Sequence, residues 1–321
     1  MKIVILDYPR ENPGEIDWSD FNKYGEVRKF AGTTKDEVAE RIKDADVVFL
    51  NKTNVTKEAL SCAKKLKFIS VIATGYNTVD VDAAAELGIP VANVPSYGTE
   101  AIGQHAIALL LEITNHIAYD DGEVRKGRRN NDRDWCFWDY SSIELENKTI
   151  GIIGLGRIGQ VTSRVAQAFG MKVLAYDSYV NEVLENENCH YTDLDTLLAN
   201  SDVIALHCPL FPETENIINK DTIAKMKDGV IIINNSRGAL VVEEDLADAL
   251  NSGKVYAAGL DTVRNEPISI DNPLLSAKNC FITPHISWAA VECRQRLIDY
   301  SLDNLKAYIA GKPTNIVNGV K

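Results

Sequence analysis

The chain lacks any apolar run that approaches the ~20 consecutive residues needed for a membrane-spanning helix. It also lacks a signal-peptide pattern before its first apolar segment, which begins at Lys2. Positive charge is in deficit, with 34 Lys and Arg against 46 Asp and Glu and a formal net charge of −12. This balance argues against nucleic-acid binding, which usually requires a basic surface. We therefore expect a cytoplasmic protein whose partners include neither a membrane nor a nucleic acid.

The chain lacks the paired cysteine spacing that binds zinc, although it has six cysteines. They are Cys62, Cys136, Cys189, Cys208, Cys280 and Cys293. In a cytoplasmic protein such thiols stay reduced, so we predict neither a disulfide framework nor a metal site. With 45% hydrophobic residues and no low-complexity tract, the composition is typical of a globular protein.

A glycine-rich motif follows a short apolar segment near the middle of the chain. Residues 149–159 read TIGIIGLGRIG, so Gly154, Gly156 and Gly159 form a Gly-x-Gly-x-x-Gly pattern. Between a strand and a helix, the first glycine permits a tight turn, the second lets the backbone approach a pyrophosphate, and the third allows close packing. The unpaired N–H groups of the helix N-terminus would bind phosphate oxygens. The triplet alone is weak evidence, because such glycines also recur in loops.

The residues after the glycines supply the context that this motif requires. Residues 161–170 predict a helix, residues 172–176 predict a second strand, and Asp177 follows 23 residues after Gly154. An acidic residue at that distance binds the 2′-hydroxyl of a ribose. Its charge would also repel a 2′-phosphate. The pattern therefore predicts a dinucleotide site that prefers NAD over NADP.

Apolar segments alternate with helical ones on both sides of the motif. Predicted strands before the motif cover 3–6, 47–50 and 68–73, and predicted strands after it cover 203–206, 230–233, 257–260 and 281–283. Continuous apolar strands between helices are typical of a parallel sheet covered on both faces. A chain of 321 residues is long for one domain. We predict an α/β fold with two doubly wound parallel-sheet domains, with a long helix over 100–116 leading into the second.

Three polar side chains follow predicted strands of the second domain, where ligands bind in open α/β sheets. Arg237 has the planar fork of donors that suits a substrate carboxylate. His285 titrates near neutral pH, as a proton donor to a 2-oxo group must. Glu266 would hold one imidazole nitrogen and favour the charged ring. The alternatives are a surface arginine, a solvated turn carboxylate and a structural histidine, and the remaining four histidines are not expected to be catalytic.

Several ordered motifs resemble the D-isomer-specific 2-hydroxyacid dehydrogenases over nearly the whole chain. They are Gly154 to Gly159, His207-Cys208-Pro209-Leu210, Asn235-Ser236-Arg237-Gly238, Asp261 with Glu266-Pro267, and Thr283-Pro284-His285. The resemblance implies that Arg237, Glu266 and His285 are catalytic. It also implies a Rossmann NAD-binding domain, residues 99–286, inserted into a discontinuous flavodoxin-like substrate domain, residues 1–98 and 287–321. The active site would then be the cleft between the domains.

The resemblance further implies two sets of binding residues. The NAD site would contain Gly154, Gly156, Arg157, Ile158, Gly159, Asp177, His207, Cys208, Pro209, Thr214, Asn235, Ser236, Asp261 and Thr78. The substrate site would contain Thr74, Gly75, Tyr76, Arg237, His285 and Trp288. Cys208 invites an interpretation as a nucleophile, but the sequence places no general base beside it. One departure is Asp261-Thr262-Val263, where the family usually has Asp-Val-Phe.

Within the family, residues 137–140, FWDY, and residues 285–289, HISWA, look most like those of glycerate dehydrogenases, which act as hydroxypyruvate reductases. The expected reaction interconverts a small 2-oxo acid and its (R)-2-hydroxy acid with NAD, and hydroxypyruvate with D-glycerate is the favoured pair. Another 2-oxo acid, such as glyoxylate, pyruvate or a bulkier acid, is an alternative. A non-catalytic NAD-sensing protein is a second. The family also implies a homodimer through the NAD-binding domain, with the 100–116 helix and the segment through Trp135 and Trp138 as the candidate interface.

Overall fold

The computed structural model describes residues 1–8, 15–128 and 136–320, so Trp135 of the candidate interface lies outside the described residues. The chain divides into two compact units, Met1–Gly98 with Ala289–Lys321, and Thr99–Trp288. Residues 287 and 288, predicted to belong to the substrate domain, belong instead to the second unit. The reason is local, because Ser287 N donates to Asp261 Oδ2 at 2.8 Å and Trp288 Nε1 donates to His285 O at 2.9 Å.

The first unit contains a five-stranded parallel sheet. Its strands are β1 (Lys2–Ile5), β2 (Glu26–Lys29), β3 (Val47–Leu50), β4 (Phe68–Val71) and β5 (Val91–Ala92). The order β2-β1-β3-β4-β5 is the order of flavodoxin-like sheets. Three short helices connect these strands, α1 (Val38–Ile42), α2 (Lys57–Cys62) and α3 (Val81–Glu86). The predicted doubly wound parallel sheet is confirmed in this unit.

Strand β3 explains why the first sheet is covered on both faces. All four of its side chains are fully buried, and successive side chains of a strand point to opposite faces. Val48 and Leu50 pack into one apolar cluster, whereas Val47 and Phe49 pack into another. Two layers of apolar side chains therefore enclose the sheet.

The second unit begins with α4 (Thr99–Asn115) and α5 (Ile117–Arg125). Its remaining elements are β6 (Thr149–Ile153), α6 (Arg157–Ala168), β7 (Lys172–Tyr176), β8 (Cys189–Tyr191), α7 (Leu194–Asn200), β9 (Val203–Leu206), α8 (Lys220–Lys225), β10 (Val230–Asn234), α9 (Glu243–Ser252), β11 (Val255–Leu260) and β12 (Cys280–Ile282). The seven strands are parallel in the order β12-β11-β10-β9-β6-β7-β8. This order reverses direction between β6 and β9, the point at which ligands bind in Rossmann folds.

Helix α4 buries an apolar stripe of Ala106, Leu109, Leu110 and Ile113 against the second sheet. A Cβ added at Gly259 of β11 would lie 3.0 Å from Leu109 Cβ, so the contact is close. The helix ends one residue before the predicted end at 116, since His116 takes a left-handed conformation with φ of 52° and α5 starts after it. Beyond the second unit, α10 (Val291–Ile309) returns to the first unit. Among the described residues, no helix has the length and hydropathy to span a membrane.

Candidate functional site

The glycine turn between β6 and α6 has the geometry of a pyrophosphate site. Gly154 has φ of 98°, and a Cβ there would lie 2.5 Å from Cys208 N. A Cβ at Gly159 would lie 2.2 Å from Gly154 O. By contrast, a Cβ at Gly156, the N-cap of α6, would meet nothing within 4 Å, so the space beside the first turn of the helix is open. Because that turn has no acidic residue, its N–H groups can receive an anion.

Asp177 lies beside this turn, at the carboxyl end of β7. Gly154 N donates to Tyr176 O at 2.8 Å, which brings the glycine turn and the acidic residue together. Asp177 Oδ1 accepts from Tyr179 N at 3.2 Å and is half-buried. The residues of the turn and the acid therefore fit an NAD molecule, with the pyrophosphate at α6 and the ribose at Asp177.

His207 and Cys208 follow β9, on the other side of the point between β6 and β9 where the strand order reverses. His207 Nε2 lies 2.9 Å from Thr162 Oγ1, and burial lowers the pKa of His207 to about 4. Burial raises the pKa of the Cys208 thiol to about 11. These shifts favour the neutral imidazole of His207 and the neutral thiol of Cys208 near neutral pH, which argues against roles as a proton donor and as a thiolate nucleophile. The predicted cofactor residue Thr214 closes the following turn by donating to Pro209 O at 2.7 Å.

The segment after β10 carries Asn235, Ser236 and Arg237. Ser236 Oγ donates to Cys208 O at 2.7 Å, and Asn235 Nδ2 donates to Ile102 O at 2.8 Å. The carbonyl oxygen Asn235 Oδ1 is buried and has no hydrogen-bond donor among the described residues. An unpaired buried acceptor is costly, so this atom is suited to a donor group of a bound ligand.

Arg237 is exposed, with no ion-pair partner among the described residues. Its Nη1 donates to Ser236 O at 2.8 Å, which leaves other guanidinium donors open to an anion. The next residue, Gly238, packs so closely that a Cβ would lie 1.9 Å from the carbonyl carbon of Val263. This contact brings the loop of Arg237 against the loop that precedes Glu266.

The strongest feature of the site is the pair formed by His285 and Glu266. His285 Nδ1 lies 2.7 Å from Glu266 Oε2. The side chains are 44% and 39% exposed, so water and small molecules reach both. His285 Nε2 has no partner in the part of the chain that the structure describes. A carboxylate that accepts from Nδ1 holds the ring in one orientation and leaves Nε2 directed away from Glu266, where it can donate a proton to a bound molecule.

Asp261, predicted as a cofactor residue, has a contact that the sequence did not reveal. Its carboxylate is buried and accepts from Thr283 Oγ1 at 2.6 Å, from Ile286 N at 2.9 Å and from Ser287 N at 2.8 Å. The segment from 283 to 287 is thereby held on both sides of His285. The sequence did show that Asp261 directly follows the apolar segment that forms β11. In the sheet, β11 is the neighbour of β12, the strand that precedes His285.

The predicted substrate loop lies in the first unit, after β4. Thr74 Oγ1 donates to Val94 O at 2.9 Å, and Asn93 Nδ2 donates to Thr74 O at 2.8 Å, so Thr74 is anchored at both its side chain and its backbone. Tyr76 is exposed. The hydroxyl of Thr78 is buried with no partner among the described residues. The roles of these residues stay predictions.

Comparisons with known proteins agree with this geometry. Residues 107–287 match the family model described as D-isomer specific 2-hydroxyacid dehydrogenase, NAD binding domain. The chain is 59% identical to a hydroxypyruvate reductase of Blautia hydrogenotrophica over 99% of this chain and 100% of the relative. It is 38% identical to a glycerate dehydrogenase of Methylorubrum extorquens, with 98% of each covered. Among solved structures, a D-lactate dehydrogenase from Aquifex aeolicus complexed with NAD and lactic acid superposes with a TM-score of 0.84 and 29% identity, covering 99% of this chain and 100% of that one.

Proposed function

The chain belongs to the D-isomer-specific 2-hydroxyacid dehydrogenase family, and we propose that it reduces hydroxypyruvate to D-glycerate with NADH. The observation that carries the proposal is the contact of 2.7 Å between His285 Nδ1 and Glu266 Oε2, with Nε2 free. The similarity to a hydroxypyruvate reductase and to a glycerate dehydrogenase supports this substrate among the 2-oxo acids. The enzyme is thus an oxidoreductase of the CH–OH group, and its cofactor is NAD.

In the proposed mechanism, Arg237 binds the substrate carboxylate through two parallel N–H donors and so orients the 2-oxo group. NADH, held by the glycine turn at Gly154 to Gly159 and by Asp177, would supply the hydride to the carbonyl carbon. The proton on His285 Nε2 passes to the carbonyl oxygen as negative charge develops there. Glu266 stabilises the charged imidazole before transfer and holds the ring in place during it. The product is the 2-hydroxy acid, and the ring regains its proton from solvent.

Cofactor choice follows from Asp177. Its carboxylate at the end of β7 suits a ribose 2′-hydroxyl and would repel the phosphate that NADPH carries at this position. Hydroxypyruvate reduction should therefore proceed much faster with NADH than with NADPH at equal concentration.

The direct test is NADH consumption by the purified protein with hydroxypyruvate, glyoxylate, pyruvate and a bulky branched 2-oxo acid, repeated with NADPH. We expect the highest kcat/KM for hydroxypyruvate with NADH. Preference for the bulky acid would contradict hydroxypyruvate as the substrate but would agree with the proposed reaction class. Tight NADH binding with no turnover of any acid would instead support a non-catalytic NAD sensor.

A cytoplasmic location and a homodimer, formed through the NAD-binding unit, are also part of the proposal. The dimer has support from exposed apolar side chains on and after α5. Ile117 is 63% exposed, Val124 is 59% exposed and Trp138 is 70% exposed. Burying such side chains against a second copy would remove apolar surface from water.

A further inference from the structure

Hydrogen bonds connect His105, on α4, to the segment that carries His285. His105 Nε2 lies 3.1 Å from Thr283 Oγ1. Thr283 Oγ1 in turn lies 2.6 Å from Asp261 Oδ1. The ring of His105 is 20% exposed, and its Nε2 is 3.7 Å from the same carboxylate oxygen. A second histidine therefore contacts Thr283 and lies near Asp261, the two residues that hold the segment of His285.

The direction of these hydrogen bonds follows from counting hydrogens. A carboxylate has no hydrogen to give, so the single hydroxyl hydrogen of Thr283 must point to Asp261. With its hydrogen directed at Asp261, Thr283 Oγ1 can only accept from His105, through one of its two lone pairs. His105 Nε2 consequently carries a hydrogen and donates it to Thr283. Loss of this donor would leave Asp261 as the one remaining partner of the Thr283 hydroxyl among these residues and would remove its tie to α4.

His285 is sensitive to such a change because of its backbone. Its φ is 55°, a left-handed conformation that is uncommon for residues other than glycine. His285 N donates to Thr283 O at 2.9 Å. A shift at Thr283 would therefore turn the imidazole relative to Glu266.

We propose that His105 is a positioning residue for the reduction, which acts through Thr283 and Asp261 on the orientation of His285. The inference rests on the proposed function, in which His285 gives the proton. His105 itself touches none of the groups assigned to proton transfer. Its substitution should lower kcat and leave the binding of NADH and of substrate nearly unchanged.

The experiment compares His105→Leu, which removes the donor, with His105→Gln, whose amide nitrogen restores a donor near the position of Nε2. For His105→Leu we expect kcat for hydroxypyruvate to fall about tenfold or more, because small misplacements of a catalytic group are costly. KM, the Kd for NADH and the urea midpoint should change little. His105→Gln should recover most of kcat. His190→Gln is the matched control, since His190 is exposed on β8 and far along the chain from these residues.

A double-mutant cycle with Thr283→Val tests whether the two residues act together. If His105 acts through the Thr283 hydroxyl, adding His105→Leu to Thr283→Val should lower kcat little further. Full additivity of the two losses would overturn the proposal, as would an unchanged kcat in His105→Leu. The proposal would also be overturned if His105→Leu and His105→Gln lost kcat to the same extent and both lowered the urea midpoint. That result would indicate a structural role.

A readout without turnover separates this inference from the proposed function. In an NMR spectrum of protein with 13C-labelled histidine, the five ring signals are observed directly. His105→Leu should move the His285 signal, whereas His190→Gln should not. A moved signal in a protein that reduces no 2-oxo acid would sink the proposed function and support the positioning contact. An unmoved His285 signal in an enzyme that reduces hydroxypyruvate would support the proposed function and overturn the positioning role of His105.

Discussion

Two histidines at strand ends of the second sheet have opposite environments, and the difference decides their chemistry. His285 is 44% exposed and contacts the carboxylate of Glu266. Among the described residues, the side chain of His207 has one hydrogen-bond partner, the hydroxyl of Thr162, and burial lowers the pKa of His207 to about 4. Both residues follow apolar strands, so residue type and position alone do not distinguish them, and only the family motif Thr283-Pro284-His285 favoured His285 as the proton donor. Side-chain partners from distant segments make the distinction, and no local pattern encodes them.

The low pKa of His207 predicts a pH dependence of stability. Between pH ~6.5 and about 4 the unfolded chain binds a proton on this residue that the folded chain does not. The free energy of unfolding therefore falls as the pH falls through this window, by about 2 kcal/mol at pH 5 for this residue alone. Urea unfolding at pH 7 and pH 5 should show a smaller loss for His207→Gln than for the wild type. Equal losses in the two proteins would contradict a lowered pKa at His207.

Elements with strong apolar patterns were predicted well, and weakly patterned ones were not. The predicted strand at 47–50 matches β3, whose side chains are all buried. Edge strand β2 (Glu26–Lys29) was missed, because three of its four residues are exposed and charged. Strands β5 and β8 have only two and three residues, too few for a visible period. Their pairing comes from the neighbouring strand rather than from their own sequence.

The glycine turn allows a prediction at the scale of one loop and one helix. Gly154→Ala places a Cβ 2.5 Å from Cys208 N at φ of 98°, so it should lower both Tm and NADH affinity. Gly156→Ala meets nothing within 4 Å, so Tm should stay nearly unchanged while the Kd for NADH rises at least about tenfold, since the methyl group blocks close approach of the pyrophosphate. Calorimetry and NADH fluorescence titration measure both quantities. Normal NADH affinity in a stable Gly156→Ala variant would contradict this position for the pyrophosphate.

For the whole molecule, the order of elements indicated two α/β sheets, while the return of α10 to the first unit was implied only by the family resemblance. The sequence of an amphipathic helix does not indicate which sheet the helix covers, because the apolar faces of two sheets are chemically alike. The same limit applies to the exposed apolar residues after α4. Their sequence shows hydrophobicity, and exposure in the folded chain is needed to distinguish an interface from a core.

The proposed homodimer predicts a measurable mass. Light scattering with size exclusion should give twice the chain mass of 35.5 kDa for the wild type. Trp138→Asp should shift the equilibrium toward the monomer because it places a charge in the proposed contact. Ile270→Asp, at a residue 89% exposed and outside the proposed surface, is the control. A monomeric wild type, or equal effects of the two variants, would argue against this interface.

The central claim is that His285 gives the proton in an NADH-dependent reduction. Its most direct test is the kcat of His285→Ala with hydroxypyruvate, measured beside the wild type and with the Kd for NADH determined for both. Loss of a general acid costs ~100-fold to ~10,000-fold in rate, so we expect kcat to fall by ~100-fold or more. The Kd for NADH should stay unchanged. A kcat within a few fold of the wild-type value would contradict the account.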